Sequence, residues 1–201
     1  GKLREMRALL RGLAVTLVPL DRAGPVEVPP ESGDSFQENA RRKARAAADA
    51  TGCLALADDS GLEVDALGGQ PGVHSARFGG PGLDDLQRNA LLLARLQGTP
   101  TGRRTARFRC VVAIAEPGGS GWEAEGTCEG RIAERPRGAG GFGYDPIFEI
   151  PALGRTLAEM TDEEKNAVSH RARALARARW ILGALLATAG PPDPPPSRAA
   201  G

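Results

Sequence analysis

This sequence has few cysteines, no long apolar run and no excess of charge of either sign. Its three cysteines, Cys53, Cys110 and Cys128, are widely spaced and form no CxxC pair, which disfavours a disulfide framework or a zinc site. The formal net charge of +1 disfavours binding to nucleic acid through bulk positive charge. No apolar run approaches the length of a membrane span, and the start of the chain lacks the apolar core of a signal peptide. We therefore expect a cytoplasmic protein that binds neither membrane nor nucleic acid.

Lysine is also scarce. Only three of the 26 basic residues are lysines, namely Lys2, Lys43 and Lys165. Because arginine carries nearly all of the positive charge, and the two side chains are not interchangeable in their contacts, each lysine is a candidate for a specific role.

Apolar periodicity predicts strands flanked by helices. Helices are predicted at 3–10, from Ser35 to about Ala50, at about 83–96 and at about 170–187. Strands are predicted at 15–18, on both sides of a turn within 54–66, at 105–115 and at 122–132, the last two as a hairpin. The fold class is mixed α/β, in a single domain over 1–190. The proline-rich stretch 191–201 is predicted to be a disordered tail.

Two adjacent carboxylates, Asp58 and Asp59, lie at the centre of the chain and are followed by Ser60 and Gly61. Successive residues of a strand face opposite sides, so these two carboxylates are expected to point apart. One of them could hold Mg²⁺ or take a proton from water. The alternative is an ordinary Asp-Ser-Gly turn.

The helix that precedes this stretch begins with a capping-box pattern, in which Ser35 is the N-cap and Glu38 is its partner. Asn39 and Lys43 are four residues apart on this helix and should therefore point together. In the next predicted helix, Leu86, Ala90 and Leu93 are expected to face inward.

A glycine-rich loop, Gly138 to Asp145, matches the letters of the GxGxxG dinucleotide fingerprint. Tyr144-Asp145-Pro146 blocks the helix that the fingerprint requires, so we reject a Rossmann site. The loop instead offers Phe142 for stacking on a base and backbone N–H groups for its edge. A flexible hairpin loop is the alternative, and the sequence contains no P-loop.

His170 and Arg171 open the last predicted helix and offer a pair of hydrogen-bond donors, although a solvated basic cap would have the same sequence. No His/Cys cluster is present. The available metal ligands are carboxylates, which favour a hard ion such as Mg²⁺ over zinc: Glu31, Asp58, Asp59, Glu63 and Asp65.

Five motifs occur in order along the chain. They are Ser35-Phe36-x-Glu38-Asn39-Ala40-x-x-Lys43-Ala44, Ala57-Asp58-Asp59-Ser60-Gly61-Leu62, Ala66-Leu67-Gly68-Gly69-x-Pro71-Gly72-x-x-Ser75-Ala76-Arg77, Gly140-Gly141-Phe142-Gly143-Tyr144-Asp145-Pro146 and Glu164-Lys165-Asn166-x-x-Ser169-His170-Arg171. Together they resemble the signatures of the inosine triphosphate pyrophosphatase family, over nearly all of the chain from Gly1 to about Ala187.

The resemblance implies an elongated mixed sheet with flanking helices, with two lobes around a central cleft, in a homodimer. It implies Mg²⁺-dependent hydrolysis of the non-standard purine nucleoside triphosphates ITP, dITP and XTP to the monophosphate and pyrophosphate. Such an enzyme would remove these nucleotides from the cellular pool.

The resemblance also assigns roles to residues. Asp59 would be the proton acceptor and a metal ligand, Glu31 the second metal ligand, and Ser60 a substrate contact. Four cations would neutralise the triphosphate: Lys2, Lys43, Arg77 and Lys165. Around the base, Phe142 would stack on the purine, with Gly143, Tyr144 and Asp145 beside it and His170 and Arg171 at the base edge.

The family normally opens with a strand running into Ser/Thr-Gly-Asn-x-x-Lys, whereas this sequence begins at Gly1-Lys2. We therefore expect the domain over 1–190 to lack that first strand. Two alternatives stay open: a pyrophosphatase of the same fold for other modified nucleotides, and an inactive nucleotide-binding sensor or scaffold. A nucleotide panel would test the first, and binding without release of pyrophosphate would indicate the second.

Overall fold

The computed structural model describes residues 2–188, so the predicted tail at 191–201 lies outside the described residues. Its helices are α1 Lys2–Leu9, α2 Phe36–Thr51, α3 Asp85–Arg95, α4 Asp162–Val168 and α5 His170–Thr188. Its strands are β1 Ala55–Val64, β2 Thr105–Ala115, β3 Gly121–Ile132, β4 Phe148–Ile150 and β5 Arg155–Thr156. The mixed α/β class is confirmed.

The five strands form one sheet in the order β1-β2-β3-β4-β5, and every neighbouring pair is antiparallel. The predicted hairpin is β2 and β3, in which Val112 lies opposite Ala124. On its other side, β2 pairs with β1, and there Val112 lies opposite Asp58. β1 is therefore an edge strand of the described sheet.

Helices cover both faces of the central strand β2, which explains why it is apolar throughout Val111–Ala115. On one face, Ala40 and Ala44 of α2 pack against Val111 and Ala113. On the other face, Ala174 and Leu175 of α5 pack against Val112 and Ile114. Met6 of α1 and Leu10, which follows α1, belong to the same cluster. The alanines let both helices approach the sheet closely.

The N-cap predicted at Ser35 is present, although only this half of the predicted capping box forms, and α4 also begins with a cap. The Ser35 side chain accepts a hydrogen bond from the backbone N–H of Glu38 at the start of α2. At the start of α4, Thr161 and Glu164 form both hydrogen bonds of a capping box. Among residues 2–188, no helix has the length and apolar character that a membrane crossing requires.

Two strand predictions are wrong. Residues 15–18 form no strand, since no strand of the described sheet pairs with them and Val18 is 53% exposed. The turn predicted within 54–66 is instead one continuous strand, β1. Turn-forming residues are tolerated there because their polar side chains find partners on α2 and α5, which overrides local propensity.

The predicted inward face of α3 is wrong at two of its three residues, whereas Leu93 packs against the core as predicted. Leu86 is 73% exposed and Ala90 is exposed, whereas Asn89 and Leu92 are buried. The helix is rotated so that a polar residue, Asn89, faces the glycine-rich loop. Periodicity of apolar residues alone gives no signal for that contact.

Candidate active site

Asp59 lies on β1 and faces α2. Its Oδ2 accepts a hydrogen bond of 3.1 Å from Asn39 Nδ2, and its Oδ1 accepts one of 3.2 Å from Lys43 Nζ. Asn39 and Lys43 therefore point together, as their spacing on the helix predicts. The carboxylate is 6% exposed, so both contacts act in a partly desolvated environment.

Glu31 joins this group from the loop that precedes α2. Lys43 Nζ donates to Glu31 Oε1 at 2.7 Å and also to the backbone carbonyl of Asp58 at 2.7 Å. Arg77 Nη2 donates to the backbone carbonyl of Glu31 at 2.7 Å, and its Nη1 lies 3.7 Å from Glu31 Oε2. Two carboxylates from distant parts of the chain, Glu31 and Asp59, thus converge on one ammonium group.

The pKa values of this group reflect burial and pairing. Burial raises the pKa of Asp59, and the nearby Lys43 charge and the Asn39 hydrogen bond offset only part of that rise. For Lys43, burial lowers the pKa, but the Glu31 hydrogen bond and the charges of Asp59 and Glu31 outweigh burial and hold it above its ordinary value. Lys43 is therefore a permanent cation at neutral pH.

Asp58 faces the opposite side of β1, toward α5, as strand alternation predicts. Its Oδ2 lies 3.4 Å from Arg171 Nη2, and the same nitrogen donates to Ser60 Oγ at 3.1 Å. The Arg171 side chain is 3% exposed. Asp58 thus balances the charge of the buried Arg171 guanidinium and orients it. Asp59 instead lies with Glu31 and Lys43 on the other face of β1.

Beside Arg171 is a cavity of about 260 Å³. Its lining includes Ser60, Ser75, Asp85, Arg88, Phe108, Phe142, Gly143, Tyr144, Asp145, Lys165, His170 and Arg171. The Phe142 ring is 43% exposed, and Lys165 Nζ and Arg171 Cζ lie 4.5 and 5.7 Å from its centroid. An exposed aromatic ring flanked by two cations can stack on a planar, electron-rich ligand.

Asp145 fixes the glycine-rich loop from within. Its Oδ2 accepts hydrogen bonds from the Phe142 N–H at 2.8 Å and from Lys165 Nζ at 2.6 Å. Gly141 has a φ of +73°, and a Cβ there would collide with the Asp145 carboxylate. As the sequence indicates, the loop leads into a short 3₁₀ turn, Asp145–Ile147, rather than into an α-helix.

His170 and Tyr144 complete the walls of the cavity. The His170 ring stacks on Phe108 with centroids 4.8 Å apart and an interplanar angle of 11°. The Tyr144 hydroxyl donates to the Ser75 carbonyl at 2.9 Å, and burial raises the pKa of Tyr144 to about 12.

Tyr144 is the only tyrosine of the chain, so an absorbance titration observes it alone. In the folded protein we expect tyrosinate to form with a midpoint near pH 12, against an ordinary value of 10.0. Because the pKa is higher in the folded than in the unfolded chain, the neutral phenol favours the folded state. This contribution to the free energy of unfolding is complete below pH 10 and is lost as the pH rises toward 12. In denaturant the midpoint should return to the ordinary value. A folded-state midpoint equal to the denatured one would contradict the buried environment.

The described site residues predicted from the sequence lie in two adjoining groups around β1. The carboxylate group is a cluster of two acidic and two basic side chains: Glu31, Asp59, Lys43 and Arg77. The cavity group lines the cavity and contains Ser60, Phe142, Gly143, Tyr144, Asp145, Lys165, His170 and Arg171. The side chain of Lys2 lies outside the described part of the structure. Asp85, Arg88 and Phe108 were missed, because no local pattern gave a signal for them. Ser75 belongs to one of the five motifs but was given no role.

The donor set at the carboxylate group fits a hard cation. Within residues 2–188, no three histidine, cysteine or acidic side chains gather as a metal cluster, so Glu31 and Asp59 would supply two ligands rather than a complete shell. Both carboxylates already contact one cation, the Lys43 ammonium. A pair of oxygen ligands with remaining sites open to water and phosphate is how proteins commonly hold Mg²⁺.

The Ham1 family model matches residues 1–180. The dITP/XTP pyrophosphatase of Symbiobacterium thermophilum is 57% identical over 186 residues, which cover 92% of this chain and 92% of that protein. The dITP/XTP pyrophosphatase of Desulforamulus reducens is 52% identical over 185 residues, with the same coverage of 92% of each chain.

This chain is also similar in structure to two solved proteins. A HAM1 protein from Coxiella burnetii superposes with a TM-score of 0.84 at 44% identity, covering 90% of this chain and 92% of that one. A nucleoside-triphosphatase, dITP/XTP pyrophosphatase, from Mycobacterium abscessus gives a TM-score of 0.75 at 47% identity, with 90% and 94% covered. The fold and the site thus define a nucleotide-handling α/β protein, and the chain belongs to the Ham1 family. The resemblance drawn from the sequence motifs is confirmed.

Proposed function

We propose that this chain hydrolyses the non-standard purine nucleoside triphosphates ITP, dITP and XTP to the monophosphate and pyrophosphate, with Mg²⁺ as the metal. One observation carries the proposal: Glu31 and Asp59 converge on Lys43 next to a cavity that contains an exposed aromatic ring. The reaction class agrees with the relatives, which are dITP/XTP pyrophosphatases.

Glu31 and Asp59 are the residues that would hold the metal. When bound, Mg²⁺ would polarise phosphoryl oxygens and offset the charge that develops on them. Lys43, Arg77 and Lys165, together with Lys2, would neutralise the remaining charge of the triphosphate. Phosphoryl transfer needs positioned charge more than covalent assistance, so these cations supply much of the stabilisation.

Asp59 would accept the proton of the attacking water. The Asn39 hydrogen bond fixes one of its two oxygens, and the Lys43 ammonium contacts the other. Asp58 is unsuited to this role because its side chain faces α5, on the opposite side of β1 from the Glu31, Lys43 and Asp59 side chains.

The cavity would bind the base. Phe142 would stack on the purine, while Arg171 and His170 would present donors at its edge. A 6-oxo purine presents an acceptor at O6, whereas adenine presents an amino donor there. Adenine would set its own amino donor against the donors of Arg171 and His170, a mismatch that discriminates strongly.

The testing experiment is pyrophosphate release from ITP, XTP, GTP, ATP and the pyrimidine triphosphates, with Mg²⁺ and with chelator. We expect kcat/KM for ITP and XTP to exceed that for ATP by about 100-fold or more, and chelator to abolish release. Preference for a pyrimidine triphosphate would favour the alternative substrate class. Nucleotide binding without release from any substrate would favour the sensor.

We also propose a homodimer in the cytoplasm. The three cysteines are free, which fits a reducing compartment, and the substrates are soluble nucleotides. Light scattering at micromolar concentration would give twice the chain mass of 20.9 kDa if the assembly is a dimer.

A further inference from the structure

Helix α3 holds the glycine-rich loop at a single residue. The Gly143 N–H donates to Asp85 Oδ2 at 2.7 Å, and the Gly143 carbonyl accepts from Asn89 Nδ2 at 3.0 Å. Asp85 and Asn89 are four residues apart and therefore lie on one face of the helix. Both backbone polar groups of Gly143 are thus bound by one rigid element.

Asn89 is an unusual residue for its position. It is 2% exposed, and the inward neighbours on its helix, Leu92 and Leu96, belong to the apolar core. Its buried Oδ1 has no hydrogen-bond partner in the described structure. A buried polar atom without a partner destabilises the fold, so packing does not explain an asparagine here. The hydrogen bond from its Nδ2 to the loop does.

The two anchors act on the aromatic ring next to them. Gly143 has a φ of +60°, and it follows directly on Phe142, whose own N–H is held by Asp145. The Phe142 ring is 43% exposed and so has limited packing of its own. Besides Lys165 and Arg171, which flank the ring, the backbone on either side sets its position, through Asp145 on one side and α3 on the other.

We infer that Asp85 and Asn89 are positioning residues that hold Gly143 and thereby set the Phe142 ring in the plane where the purine stacks. This inference rests on the proposed function of the cavity. The two residues act through the loop on the base of the nucleotide. The cations proposed for the triphosphate, Lys43, Arg77 and Lys165, are held instead by Glu31, Asp59 and Asp145. The hydrogen bonds from Gly143 to Asp85 and from Asn89 to Gly143 together form the clamp. Loss of the clamp should weaken binding of the base and leave binding of the phosphates unchanged.

The test compares Asp85→Ala, Asp85→Asn and Asn89→Ala with Leu86→Ala, a control in the same turn whose side chain is in solvent. For Asp85→Ala we expect KM for ITP to rise about tenfold, the loss of one hydrogen bond to a charged acceptor, with kcat within about threefold of wild type. Asp85→Asn keeps an acceptor and should recover most of this loss. The inhibition constant of inorganic tripolyphosphate, which lacks a base, should stay unchanged in every variant.

A second measurement does not depend on activity. The Gly143 N–H is protected by Asp85, so hydrogen exchange in the peptide around 138–147 should accelerate in Asp85→Ala and Asn89→Ala but not in Leu86→Ala. Suppose that hydrogen exchange in the loop is faster, but that the KM for ITP and the inhibition constant of tripolyphosphate rise equally. That result would overturn the positioning role. Unchanged exchange would overturn the clamp itself. If the wild type released no pyrophosphate, the proposed function would fail while the exchange result still decided whether α3 holds the loop.

Discussion

Replacing Asp59 with asparagine is expected to lower kcat for ITP by about 1,000-fold, within the range that loss of a general base produces. The change removes the negative charge that faces Lys43 and the oxygen that would accept the proton of water, but it keeps the size of the side chain. The measurement is steady-state pyrophosphate release at saturating Mg²⁺, so that weaker metal binding does not hide the effect on turnover.

Asp58→Asn is the matched comparison, because it is the same substitution one residue away on the same strand. Asp58 contacts Arg171 and Ser60, so its loss should loosen the guanidinium and act mainly on KM for the purine. We expect a rise of about tenfold, typical of a weakened buried charge pair, with a smaller effect on kcat. Near-normal turnover in Asp59→Asn with abolished turnover in Asp58→Asn would mean that the two roles are exchanged.

The different roles of these neighbours follow from strand alternation. A turn would have allowed both carboxylates to point into one site, whereas a continuous β1 sends Asp59 to α2 and Asp58 to α5. The alternation could be predicted from the sequence, but the continuity of the strand could not. Asp-Ser-Gly has turn propensity, and only the partners on the two covering helices make it acceptable within a strand.

Contacts within one element were predictable, and contacts between distant loops were not. The spacing of Asn39 and Lys43 places both on one face of α2 without any knowledge of the fold. Glu31 has no such signal, since it lies in a loop. The sequence offered it as one of five carboxylates, and only the family resemblance singled it out. Its position depends on Lys43 and Arg77, the latter 46 residues further along the chain.

The clamp formed by Asp85 and Asn89 on α3 was not predictable from the sequence either. Apolar periodicity placed Leu86 and Ala90 toward the core, because periodicity counts only hydrophobic residues. The helix instead turns Asn89 inward, where it reaches a loop residue 54 positions away. A polar residue on a buried helix face was the only available signal, and on its own it does not identify its partner.

One glycine of the sheet, Gly126, belongs to none of the five motifs, and its substitution gives the largest expected change in stability. Gly126 lies on β3 where α5 crosses it, and a Cβ at this position would overlap the His170 carbonyl and the Ala174 N–H. The obstruction is backbone on a helix, so it cannot move aside as a side chain would. Gly126→Ala should therefore push α5 away from the sheet.

We expect Gly126→Ala to lower the free energy of unfolding by about 3 kcal/mol, the upper range for an overpacked core, and Tm by about 6–12 °C for a chain of this size. Because α5 begins with His170 and Arg171, kcat/KM for ITP should fall as well. The control is Gly183→Ala in α5, because no atom lies within 4 Å of a Cβ added at Gly183. It should be neutral or slightly stabilising, since alanine favours helix over glycine. Thermal and urea denaturation would measure both variants, and a wild-type Tm for Gly126→Ala would show that α5 does not lie directly on β3 in solution.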